Sequence, residues 1–175
     1  MNNNLLKYAV VLSRLMQIGY GLLIVLFVYL LLKPIFSWPL PADLTTDGNS
    51  MLLIVEFTSF QEILASDFNT IFFAARAIIL LSLFIIGLQS LIKIIKSIES
   101  LSTFKLDSII YFKRIGLVML LSFVLSCFDL SYLDHSLSIS FSLELQYLLF
   151  AFIAYTMAEV FKEGNSLLEE NQLTI

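Results

Sequence analysis

Two side chains that carry much nucleophilic, redox and metal chemistry occur once each in this chain, His135 and Cys127. One histidine, with Asp134 as its neighbour, offers too little for a histidine metal cluster or a catalytic triad. One cysteine rules out an internal disulfide. No phosphate-cradling glycine loop, dinucleotide fingerprint, C-x-x-C or H-E-x-x-H spacing is present. The residues therefore predict that the chain is not an enzyme, with no catalytic, cofactor-binding or metal-binding set. What remains is electrostatic: the isolated charges Arg76, Asp129 and Glu144, the basic group Lys93, Lys96, Lys105, Lys113 and Arg114, and an acidic carboxyl-terminal segment.

The elements that position those charges are set by composition. Of 175 residues, 59% are apolar and only 14% charged, with a mean hydropathy of +0.92. Ordinary globular chains carry roughly 45–50% apolar and about 25% charged residues. Hydrocarbon offers backbone amides no partner, so a chain crosses it as helices of about 20 apolar residues. Four segments meet that requirement, at about 15–32, 71–92, 109–128 and 137–158, with residues 159–175 left as a tail. The expected fold is all-α, an integral membrane four-helix bundle. The first span, an uncharged run of 18 residues between Arg14 and Lys33, is too long for a usual signal core and has no nearby cleavage site, so it reads as a retained anchor.

Lysine and arginine stay on the cytoplasmic side of a membrane. Lys7 and Arg14, then Lys93, Lys96, Lys105, Lys113 and Arg114, then Lys162 fall on one side of the four spans, against Lys33 and Arg76 on the other. Both termini are expected in the cytoplasm, with the connections 33–70 and 129–136 outside. The net charge of -4 argues against nucleic acid as a direct partner. In the first outer connection, Leu53, Phe57, Phe60 and Leu64 fall on one helical face, opposite Glu56, Ser59, Glu62 and Ser66. That spacing predicts an amphipathic helix lying on the outer leaflet or over the bundle mouth, with Trp38 as an interfacial anchor. It reads as a cap over helix ends or as a ligand-sensing lid.

Arg76 and Glu144 lie within membrane limits near the outer face, where a lone charge is unfavourable. A mutual pair, or Arg76 with Asp129, would satisfy them structurally. At the inner side, residues 93–114 carry a net +3 and residues 159–175 a net -3. Val160, Phe161, Gly164, Leu167 and Leu168 make an apolar stripe, so the fourth span is expected to continue as an amphipathic helix that Gly164 bends or ends. Anionic inner-leaflet lipids repel an acidic helix. Its stripe is expected to meet either the basic connection or a separate cytosolic protein.

The stretch Ile98-Glu99-Ser100-Leu101-Ser102-Thr103-Phe104 with Tyr111-Phe112-Lys113-Arg114-Ile115-Gly116, and the ending Val160-Phe161-Lys162-Glu163-Gly164 through Glu169-Glu170-Asn171-Gln172-Leu173-Thr174-Ile175, resemble the bacterial membrane family of domain of unknown function 2975, the YoaS-like proteins. Gln172 stands where that family usually has aspartate. The resemblance implies a four-span protein without an assigned activity, often encoded beside a small cytosolic helix-turn-helix regulator. It places a candidate partner-binding surface on Phe161, Gly164, Leu168, Glu169, Glu170, Asn171, Leu173, Thr174 and Ile175.

The resulting expectation is a multi-pass protein of the bacterial cytoplasmic (inner) membrane. Its partners would be the lipid bilayer and, through the tail, a regulator of that kind. A transport or immunity component using Arg76, Glu144 and Asp129, and a purely structural membrane protein, are the alternatives.

Overall fold

A computed structural model of the chain describes residues 3–36, 66–99, 106–133 and 136–173. The elements are α1 (Asn3–Phe36), α2 (Asp67–Glu99), α3 (Leu106–Cys127), β1 (Phe128–Leu133), β2 (Ser136–Phe141) and α4 (Leu145–Leu173). The architecture is all-α, a four-helix bundle, with one small hairpin between α3 and α4. Each helix is long and apolar enough to cross a membrane, over Leu5–Phe36, Asp67–Ile98, Asp107–Cys127 and Leu145–Leu167. At 1.5 Å per residue α3 is about 33 Å long, close to one hydrocarbon thickness of about 30 Å. The other three, with 34, 33 and 29 residues, run well past it.

The helices pack on their sequence neighbours and alternate in direction. Between α1 and α2, Tyr20 meets Phe84 at 6.1 Å and Phe27 meets Phe73 at 5.7 Å between ring centroids. Between α2 and α3, Ser108 donates to Ser97 at one end, while Arg76 reaches Ser126 at the other. Between α3 and α4, Phe112 lies 5.0 Å from Phe161, and a Cβ on Gly116 would stand 2.8–3.0 Å from the Tyr155 ring. A rising number on one helix pairs with a falling number on the next, so the bundle runs up-down-up-down.

The distribution of side chains differs from that of a water-soluble bundle. Its fully buried side chains are small, with Ser90, Ser108, Ser122 and Ser126 joined inside by Ala74, Ala151, Ala154 and Ala158. Large apolar residues face outward, among them Val25, Leu117, Val124, Leu149 and Phe152. Lipid removes the hydrophobic drive between helices, so close approach of small residues and hydrogen bonds take over. The serines fit that setting because several donate to the carbonyl four residues back, as Ser82 does to Ile78 and Ser90 to Ile86.

Two expectations are corrected here. The fourth helix begins at Leu145, not near residue 137, because Ser136–Phe141 forms a strand. The reason is periodicity: Leu137, Ile139 and Phe141 alternate with Ser136, Ser138 and Ser140, a period of two that suits a pleated strand. That strand pairs antiparallel with β1, Phe128 opposite Phe141 and Leu133 opposite Ser136, so the expected outer connection 129–136 is part of a hairpin. Second, Gly164 does not end the last helix, which continues to Leu173. The amphipathic segment predicted around Leu53, Phe57, Phe60 and Leu64, with Trp38, lies outside the described residues, as do Asp134, His135 and Lys105.

Candidate functional site

The hairpin end of the bundle gathers the isolated charges. Asn69 and Arg76 are seven residues apart on α2, two helical turns, and so share a face. Arg76 Nη2 donates to the Ser126 carbonyl at 3.0 Å, and Arg76 Nη1 lies 3.1 Å from Asp129 Oδ1. Ser126 lies in the last turn of α3, where backbone carbonyls lack intrahelical donors and the helix end carries partial negative charge. One guanidinium thus caps α3 and pins β1. The Ser142 hydroxyl donates to the same Ser126 carbonyl at 3.2 Å, and the Ser142 N–H to the Cys127 carbonyl at 3.0 Å.

The Arg76 side chain is 17% exposed and that of Asp129 59%. The cation is therefore the desolvated partner, and Asp129 keeps most of its hydration. Of the two pairings expected for Arg76, the structure has the one with Asp129; Glu144 is not its ion-pair partner. Glu144 instead accepts from Gln146 Nε2 at 3.2 Å, and its backbone carbonyl accepts the Tyr147 N–H at 3.2 Å. Position explains the difference: Glu144 directly precedes α4, where a carboxylate meets the positive end of the helix.

Sequence reasoning missed Asn69. Its Nδ2 donates to the Tyr132 carbonyl at 3.0 Å and its Oδ1 accepts the Tyr132 N–H at 2.6 Å. A side-chain amide carries one donor and one acceptor in the geometry of a peptide group, so Asn69 continues the ladder on the free edge of β1. Near a helix start, asparagine reads as a cap, and only the packing shows its strand-like role. Phe68 adds an edge contact with Tyr132 at 6.4 Å. Replacing Asn69 with Ala removes both bonds at a buried position and is expected to lower stability by about 2 kcal/mol. Amide exchange at Tyr132 in detergent micelles checks it: wild-type protection in the variant refutes the anchoring role.

The opposite end carries the other charges. Lys93 and Lys96 lie in the last turns of α2, Lys113 and Arg114 in the first turns of α3, and the acidic segment on the final turns of α4. The basic group and the tail do approach each other. Glu159 lies within electrostatic reach of Lys113 while bonding Lys162 at 2.6 Å. The apolar stripe divides: Phe161 packs on Phe112, whereas Val160 and Leu167 remain exposed. Gly164 is half-buried and Glu170 exposed. Leu168, Glu169, Asn171 and Leu173 belong to α4 by backbone; their side chains, and Thr174 and Ile175 altogether, lie outside the described residues.

Residues 56–175 match the family described as protein of unknown function, DUF2975. The chain belongs to this family. None of the curated proteins and none of the solved structures matches it. The DUF2975 match takes in α2, the hairpin, α3, α4 and the tail, and so spans both charged ends described above. At the hairpin end, Arg76 is engaged by a helix end and a carboxylate at once. At the other end, among the described residues, this DUF2975 protein leaves Val160 and Leu167 exposed.

Proposed function

We propose that this DUF2975 chain is a multi-pass protein of the bacterial cytoplasmic membrane, both termini in the cytosol, that acts by binding rather than catalysis. Its tail holds a cytosolic partner. The observation that carries the reading is the length of α4. Its 29 residues give about 44 Å of helix, some 14 Å beyond the hydrocarbon. The extension is acidic, through Glu169 and Glu170, and leaves Leu167 exposed. An exposed leucine on an acidic helix suits a basic protein surface with an apolar groove. A small helix-turn-helix regulator, whose DNA-binding surface is basic, has that chemistry.

The orientation draws support from charge. Lys7, Arg14, Lys93, Lys96, Lys113 and Arg114 lie toward one end of the bundle, the arrangement cytoplasmic ends share. The test uses the full chain in cells with a photo-cross-linker at Glu163. The expected result is a cross-link to a basic cytosolic protein, lost on deletion of residues 165–175 and weakened at least roughly tenfold by Leu167→Asp, about one hydrophobic anchor's worth. An unchanged cross-link in both variants overturns the tail's role.

A further inference from the structure

Two cations from two helices converge on one aromatic ring at the basic end. Lys93 Nζ on α2 stands 5.1 Å from the centroid of the Tyr111 ring on α3, and the Arg114 guanidinium carbon 6.0 Å from it. Each contact alone is a familiar cation–π attraction. Together they bring like charges near each other, and the ring's quadrupole cannot neutralise two positive groups. Among the described residues neither cation forms an ion pair with a carboxylate, not even Asp107 one turn before Tyr111. An anion within reach of both side chains would balance them.

Depth and surroundings identify the anion. Lys93 closes the uncharged stretch 77–92 of α2, and Arg114 opens the uncharged stretch 115–128 at the start of α3. Both flank uncharged stretches, and long basic side chains at such positions reach toward the lipid phosphates by snorkelling. Both are exposed, and Tyr111 is half-buried. Next to them, Leu91, Ile110 and Leu117 present exposed apolar surface that acyl chains would cover. We propose that Lys93, Tyr111 and Arg114 form a site for the phosphate of an anionic phospholipid headgroup. Arg114 offers paired N–H donors to two phosphate oxygens, Lys93 supplies a point charge, and the Tyr111 hydroxyl a further donor. Basic pockets between spans are where such headgroups bind.

The site stands apart from the tail. Lys113 is within electrostatic reach of Glu159 on α4, so it is not counted. Lys96 is exposed, with no ring partner among the described residues, and serves as a control. The experiment uses the full chain in neutral detergent, where orientation and cytosolic partners have no influence. Phosphatidylglycerol, phosphatidylcholine or inorganic phosphate is added, and bound lipid is read by native mass spectrometry alongside thermal stability. The wild-type chain is expected to retain phosphatidylglycerol over phosphatidylcholine. The double variant Lys93→Gln/Arg114→Gln should bind phosphatidylglycerol roughly 30-fold more weakly. Lys96→Gln and the tail-deleted chain should bind it as the wild type does, so failure of the tail reading leaves this result intact. Equal retention of both lipids, undiminished binding by the double variant, or inorganic phosphate stabilising the chain as well as the lipid does, would each overturn the proposal.

Discussion

Replacing Arg76 with Leu is expected to destabilise the bundle by about 2–3 kcal/mol, the range for losing hydrogen bonds made by a charged group. Replacing its partner, Asp129→Asn, should cost less than about 1 kcal/mol. The asymmetry follows from exposure. The Arg76 side chain is 17% exposed and satisfies the Ser126 carbonyl, which no intrahelical donor reaches, whereas Asp129 is 59% exposed and returns to water. Leu at position 76 matches the apolar surroundings of α2, so the variant isolates the lost bonds from any packing defect. Equilibrium unfolding in mixed detergent micelles measures both. Equal costs for the two variants would mean that the ion pair, and not the capped carbonyl, holds the hairpin to the bundle.

Gly116→Val carries an effect of similar size for a different reason. A Cβ at residue 116 would stand 2.8–3.0 Å from three atoms of the Tyr155 ring, closer than carbon atoms pack. Overfilling a packed interface by methyl groups costs about 1–3 kcal/mol. Gly116→Ala should cost less, because alanine returns about 1 kcal/mol of helix propensity. The sign is expected to reverse in a Tyr155→Leu background, where the ring is absent and Ala at position 116 becomes neutral or stabilising. A double-mutant cycle by the same unfolding assay reads the coupling. Additive effects would show that α3 and α4 do not rely on this close approach.

These two positions also show where sequence reading stops. Arg76 is visible as a lone charge near the end of an apolar run, and pairing with Asp129 is one of two arrangements its placement predicts. Nothing in the order of residues selects Asp129 over Glu144. The choice depends on Glu144 lying at the start of α4, and that start depends on β2. Gly116 lies in a stretch where a glycine has many readings, and its neighbour Tyr155 is 39 positions away. Asn69 is harder still, since its two bonds to Tyr132 link residues 63 apart. The hairpin had a local signal, the alternation of serine with Leu137, Ile139 and Phe141, which a search for apolar runs passes over.

The sequence by itself determined that four apolar helices form and that basic charge concentrates toward one end, because hydrogen bonding within a helix and the exclusion of charge from hydrocarbon act on a single segment at a time. Which carboxylate meets Arg76, that an asparagine side chain stands in for a strand, and that Lys93 and Arg114 share the Tyr111 ring were decided only by tertiary structure. Those contacts join different segments, and their geometry exists only once the helices have set their rotation and depth against one another.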